Sequence, residues 1–323
     1  MVADSGPQSF RDLVRNHNRF LVGPLQWTSY HLDLVGCRFE DVATPPVSVT
    51  LVSTDYSHYE KGPRHRIYWD EISDPEVLAI GPQPELKRER LINILVGKDC
   101  PFAHTSKGPP FFFDRRSIHR PEYIMFHNSQ ESIEDPSRSL LGYVHYTFVN
   151  GSRNRQYRPA PGGRSNEIGW RIHLKRKART TPKEWTDDPY FVCHLLALAQ
   201  LKDRNRTVNP SKPITYTSRL LATHIHEKHF IILYEAQITT EVLNALSHWR
   251  DATTPIQWPT IKRKRIPYQP YDTFASRLIA EIGESRPSDS LSNTSDGVDG
   301  IDEHGGKRPC EPEDSGSSKM MRT

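Results

Sequence analysis

The segment from Asp187 to Ile238 constrains the fold more than any other part of this 323-residue chain. Asp187-Asp188-Pro189 predicts a helix start. An Asp at the N-cap accepts backbone hydrogen bonds, and Pro at the first helical position gives up only an N–H that would be unpaired anyway. The run Phe191 to Ala199 that follows is apolar on nearly every side, and a helix apolar all round is a buried one. The central helix is expected over 188–202 and to end in the polar stretch Lys202 to Asn209. Strands are expected over Ile214 to His226 and Phe230 to Ile238, joined by the polar turn Glu227-Lys228. This segment supplies the nucleus of the core and leaves function open.

The chain is long enough for one large domain with a proper core. Charged residues at 25%, apolar residues at 35% and 26 prolines point to a soluble, loop-rich protein with a disordered portion. No run of eighteen apolar residues occurs, which excludes a transmembrane helix. The first residues lack an apolar core of the kind a secretory signal needs, so an intracellular location is expected, with the nucleus or else the cytoplasm as its site. Cys37, Cys100, Cys193 and Cys310 are scattered, with no Cys-x-x-Cys pair. Free thiols are expected, and neither a metal nor a cofactor is. From Ile282 onward nine acidic face five basic residues, so the tail carries about −4 and the body about +8 of the net +4. Residues 282–323 are polar and acidic and should be disordered.

Elsewhere the periodicities are weaker. A short amphipathic helix is expected over Ser9 to Phe20, a β-branched strand over Val47 to Val52 with a hairpin partner at His65 to Trp69, and a helix over Glu85 to Val96. Pro101 to Phe113 reads as loop, its Phe111-Phe112-Phe113 plugged into the core. A polar joint at 131–138 is the candidate subdomain boundary within a single body over 1–281. Leu140 to Val149 alternates with large residues on both faces and reads as a central strand, and Ile168 to Leu174 as the next. Helices over Thr240 to Trp249 and Tyr271 to Ile282 close the body, with Pro-rich loop between them. The fold class is therefore α+β, a mostly antiparallel sheet around the buried helix with helices on one face.

Within the central segment, Asp188-Pro189-Tyr190-Phe191-Val192, Leu195 to Gln200, Leu220-Leu221-Ala222-Thr223 and Leu233-Tyr234-Glu235-Ala236 resemble a group of uncharacterised filamentous-fungus proteins. The resemblance covers roughly 185–245. It implies a fungal source and a shared α+β core, and it brings no reaction, cofactor or catalytic residue with it.

Four constellations bear on function. His224, His226 and His229 could converge on one Zn²⁺ or Ni²⁺, although histidines flanking a hairpin tip are commonly just solvated. Glu235 on the most apolar strand raises a metal-dependent nuclease centre. Gln237 stands where such a centre wants Lys, and the neighbouring strand has no acid, so a Glu paired to a basic side chain is the plainer role. Between 151 and 179, Arg153, Arg155, Arg158, Arg164, Arg171, Lys175, Arg176, Lys177 and Arg179 face a single acid, Glu167, with Tyr157 and Trp170 interleaved. That composition suits phosphate contact and base stacking, against the plainer alternative of a solvated face. Lys262-Arg263-Lys264-Arg265 has the composition of a nuclear import signal. No Gly-rich phosphate loop or Gly-x-Ser-x-Gly elbow occurs. The expected function is non-enzymatic binding of a protein or a polyanion, nucleic acid among them, through the 151–179 face. The alternative is an enzyme centred on Glu235.

Overall fold

The computed structural model describes residues 8–17, 19–42, 69–97, 100–129, 139–159, 166–206 and 213–283. Among them the helices are α1 (Phe10–Asn16), α2 (Ser29–Val35), α3 (Asp74–Ile80), α4 (Pro84–Val96), α5 (Tyr146–Tyr157), α6 (Glu167–Thr180), α7 (Tyr190–Arg204), α8 (Thr240–Ser247) and α9 (Tyr271–Gly283). The strands are β1 (Arg38–Asp41), β2 (Phe102–Thr105), β3 (Phe111–Phe113), β4 (Arg116–His119), β5 (Ile124–Asn128), β6 (Leu140–His145), β7 (Thr215–Thr223), β8 (Phe230–Thr239) and β9 (Thr260–Pro267). Seven of the strands form one sheet in the order β1-β9-β8-β7-β6-β5-β2, and β3 and β4 form a separate hairpin. The expected strand at 47–52, most of its partner, the joint at 131–138, Arg164 and nearly all of the acidic tail lie outside the described residues. By contacts the chain divides into Met1–Glu284 and Ser285–Thr323.

The fold is α+β with a mostly antiparallel sheet. Two pairings are parallel, β1 with β9 and β6 with β7. A parallel pair cannot be joined by a tight hairpin, and the long connection between β6 and β7 holds α5, α6 and α7. The β7–β8 hairpin is antiparallel with eight paired positions, Thr215 opposite Thr239 through Ala222 opposite Ile232.

Strand alternation explains why both faces are covered. On one face Leu140, Val144, Leu220, Ala222, Ile232, Tyr234 and Ala236 pack with α7, α8 and the first helices. On the other, Leu141, Tyr143, Leu221, Ile231 and Leu233 pack with α3, α4 and α9. Helices therefore lie on both faces, which corrects the expected one-faced arrangement. The large residues on both sides of β6 required this, because neither face of a central strand can stay wet.

The central helix is as buried as its composition demands, with Phe191 through Ala199 all at 1% exposure or less. Asp188 caps it: its Oδ1 accepts from the Tyr190 N–H at 2.9 Å. Gln200 Oε1 accepts from the Phe112 N–H and its Nε2 donates to the Phe112 carbonyl, at 2.9 and 2.8 Å. This amide imitates a neighbouring strand and pins β3 to α7, with Phe111 driven into the core.

Four other expectations are overturned. The strand beginning at Leu140 stops at His145, whose Nδ1 accepts from the Thr147 N–H and so opens α5. Ile168 to Leu174 is helix, not strand, with Asn166 as its cap accepting from the Gly169 N–H at 2.7 Å. The segment 101–113, read as loop, contains β2 and β3, and the Pro-rich stretch around Lys262 contains β9. In the first two cases a local cap opens a helix, and in the last two strand pairing overrides a loop-like composition.

Candidate polyanion interface

The nine cations of the 151–179 segment have different fates. Arg153 projects from α5 into the protein and is fully buried. Its Nη1 and Nη2 donate to the two oxygens of the equally buried Asp188 at 2.5 and 2.7 Å, and its Nε donates to the Leu25 carbonyl at 3.1 Å. The Tyr146 hydroxyl donates to the same carboxylate at 2.8 Å. Arg153 thus holds the N-terminus of α7 against α5, and it is removed from the candidate phosphate contacts. A buried guanidinium requires a planar bidentate partner, and Asp188 at the mouth of the central helix supplies it. Arg155 lies on the surface, paired with Glu122 at 2.7 and 2.9 Å. Arg158 is exposed at the end of α5.

Along α6 the cations remain open to solvent. Arg171, Lys175, Arg176 and Arg179 are exposed and Lys177 is half-buried. Among the described residues no carboxylate pairs with any of them. Arg171, Lys175 and Arg179 recur every four residues and make one stripe along the helix. The flanking stripes are apolar and exposed: Trp170 with Leu174, and Ile168 with Ile172, of which Ile168 is 75% exposed and Leu174 60%. Helix α6 touches the body through His173 and Thr180, with Trp170 edge-on to the His173 ring at 5.0 Å. Four exposed large apolar residues on one surface helix exceed what solubility alone explains.

The C-terminal half of α6 also forms one wall of an open groove of about 860 Å³. Arg176 and Arg179 line it from α6, and His17, Arg19, Tyr30 and His31 line it from the α1–α2 segment. Among the described residues no Asp or Glu lines it. The His31 Nδ1 accepts from the Thr28 N–H at 3.0 Å, so the Nε2–H donates to the Arg19 carbonyl at 3.0 Å. That ties the groove wall together and leaves the Arg19 side chain exposed. Sequence reasoning missed Arg19, His17 and Tyr30, which stand some 150 positions from α6 in the chain and meet it only in the fold.

The other candidates sort as follows. In the basic run 262–265 alternate side chains face opposite ways along β9. Arg263 is buried and bound by Asp41, at 2.7 and 2.9 Å, and by Asp187 and the Thr186 hydroxyl. Lys264 is held by Glu281. The run is a sheet strand and not the exposed loop expected of it, with Lys262 and Arg265 exposed and Arg263 buried. Glu235 accepts from the Arg219 Nε at 2.7 Å, the pairing expected for it. His224 stacks on Trp185 at 5.2 Å and lies 5.2 Å from the His226 ring. Burial, with His226 and Lys87 nearby, lowers its pKa. Among the described residues no three His, Cys, Asp or Glu side chains converge as a metal site would need. Cys37, Cys100 and Cys193 are free thiols, and no helix among the described residues is long and apolar enough to cross a membrane.

No protein-family model matches the chain, and no curated protein matches it either. The residues on which the expected resemblance rests are mostly core residues, Tyr190 to Ala199 and Leu220 to Thr223 among them.

Proposed function

We propose that the protein is a non-enzymatic binding module that takes up a polyanion, single-stranded nucleic acid foremost, along the outer face of α6 and into the adjoining groove. The observation that carries this reading is a row of exposed cations, Arg171, Lys175, Arg176 and Arg179, that pair with no carboxylate among the described residues and lead into a groove whose described lining holds no carboxylate. Phosphates would lie on the cationic stripe and bases against Trp170 and Tyr30, both about half exposed. Aromatic faces accept any base, so affinity without strong sequence preference is expected. A nuclear location belongs with this reading.

The test is binding of labelled oligo(dT) and oligo(U) to the full chain across a salt series. Four to five phosphate contacts make log K fall with log salt with a slope of about −3. Arg176→Ser with Arg179→Ser should lower the slope by about 1.4, and Trp170→Ala should weaken binding by about 1–3 kcal/mol. Absence of binding at low salt would overturn the reading. The exposed aliphatic residues Ile168, Ile172 and Leu174 favour a second reading, an acidic protein partner. It gains ground if the oligonucleotides fail and a mixed acidic-apolar peptide binds α6.

A further inference from the structure

A second cavity, of about 340 Å³, adjoins the α6 groove, and Val22 lines both. Phe10, Phe111 and Leu246, all buried in the core, form its floor. Phe20, Trp27, Phe113 and Trp258, each partly buried, line it as well. The rings meet edge to face, Phe10 against Phe20 at 5.7 Å and 76°, and Trp27 against Phe111 at 5.6 Å and 86°. Rings so packed gain from their mutual geometry, which favours this arrangement over collapse into the space between them.

Every side chain on the described lining is hydrocarbon or indole. The Trp27 indole N–H is already donated to the Val22 carbonyl at 3.2 Å. A polar group brought among these residues would give up its water without a replacement partner, so the part of a ligand that enters is apolar. A nucleobase, with donors and acceptors along its edges, is a poor occupant for that reason. A methylene takes about the space of a water molecule, about 30 Å³, so the cavity accommodates a chain of roughly ten carbons. Leu21 and Ile118, 54% and 47% exposed, mark its mouth. Beside them stands Arg116. It pairs across the β3–β4 hairpin with Phe113, and paired residues project from the same face, so Arg116 is on the face that lines the cavity. Arg116 is exposed, and no carboxylate among the described residues pairs with it. Asp114, two positions away, is taken by Arg250 at 3.0 Å.

We propose that this cavity binds a single-chain anionic amphiphile, its hydrocarbon chain among the rings and its carboxylate or phosphate at the mouth beside Arg116. The apolar interior takes the chain by burial, and the exposed cation at the rim selects the sign of the head. The inference goes beyond the polyanion reading and stands independently of it, because Val22 is the one described lining residue the two cavities share.

The test is calorimetric titration of the full chain with hexanoate, octanoate, decanoate and tetradecanoate, and with octyl phosphate and neutral octanol, all below micelle-forming concentrations. From hexanoate to decanoate, each added pair of methylenes should tighten binding on the order of tenfold. Tetradecanoate should gain little over decanoate, because its further methylenes stay in water. At least one of octanoate and octyl phosphate should bind about threefold tighter than octanol, and the tighter of the two identifies the headgroup. Arg116→Ser should remove that advantage and leave octanol unchanged. Ile118→Glu puts a like charge at the mouth and should weaken octanoate about tenfold or more. Both positions are exposed, and if Ile118→Glu unfolds, the Arg116→Ser comparison decides. Arg176→Ser with Arg179→Ser, in the other groove, should leave this binding unchanged, so the two sites fail or stand separately. The proposal is overturned if neither decanoate nor octyl phosphate binds at about 1 mM, which would leave the cavity to an apolar side chain of a partner protein. It is overturned equally if affinity keeps rising by the same factor to tetradecanoate, if Arg116→Ser spares the preference for the anion, if a folded Ile118→Glu changes nothing, or if the α6 variant abolishes the binding.

Discussion

Replacing Arg153 should damage the fold while sparing the surface chemistry its neighbours supply. Arg153 and Asp188 both have side chains at 0% exposure. Arg153→Met fills much of the same space but leaves the Asp188 carboxylate with the Tyr146 hydroxyl and the Tyr190 N–H only. Breaking one partner of a buried pair costs about 3–5 kcal/mol, because the remaining charge is uncompensated. The Leu25 carbonyl loses its donor as well, for about 1 kcal/mol more. Against a total stability of about 5–15 kcal/mol this is a large fraction. Urea unfolding of the full chain, followed by tryptophan fluorescence, should show it directly, and Tm should fall by roughly 8–24 °C. Arg155→Ala, whose partner Glu122 is also solvent-exposed, should cost under about 1 kcal/mol. Adding Asp188→Asn to Arg153→Met removes the stranded charge and keeps the helix cap, so the double variant should be more stable than Arg153→Met alone. If Arg153→Met costs less than about 1 kcal/mol, or the double variant recovers nothing, the buried-pair account fails.

Three further outcomes follow from the same geometry. His145 and His194 are buried, and burial is the main cause that lowers each pKa to about 3. An unfolded chain binds those protons near pH 6.5, so the stability they contribute is present above that pH and is lost as pH falls toward 3. The slope approaches about 1.4 kcal/mol per pH unit for each ring, and urea midpoints that do not move between pH 7 and 5 would refute it. Arg263→Ala should destabilise by about 2–4 kcal/mol because two carboxylates and the Thr186 hydroxyl lose their donor. Lys262→Ala, exposed on the same strand, should stay within about 0.5 kcal/mol, and equal losses would contradict the alternation along β9. Asp114 and Arg115 turn the β3–β4 hairpin with φ of 50° and 62°. Arg115 has a side chain in the left-handed region, so Arg115→Gly should raise stability by about 1 kcal/mol in thermal melts.

How much was legible differs from element to element. Helix α7 was, because a run apolar on every side has one stable environment and its length and cap are local features. The β7–β8 hairpin, α4 and α9 were legible for a similar reason: each carries its own period and turn chemistry. The end of β6 was not. Alternation continues through Tyr146 and Phe148, and the turn into helix depends on the His145 ring capping Thr147. Helix α6 was misread because Ile168, Trp170, Ile172 and Leu174 alternate like a half-buried strand, whereas all four are exposed. The period expected of burial was present without the burial.

For the candidate site, the chain alone determined that cations outnumber acids between 151 and 179 and that an aromatic residue lies among them. Charge and composition are properties of the residues themselves. Only the tertiary structure decided which cations face solvent. Arg153 and Arg171 are indistinguishable as letters, yet one is sealed against Asp188 and the other stands free on α6. The same holds for Arg263, which β9 turns inward beside an exposed Lys262. Ionic partners and groove neighbours are set by proximity across hundreds of positions, as Asp41 pairs with Arg263 and Arg19 lines one groove with Arg179. Local pattern carries no information about such distances, because they are set by how the sheet and its helices pack.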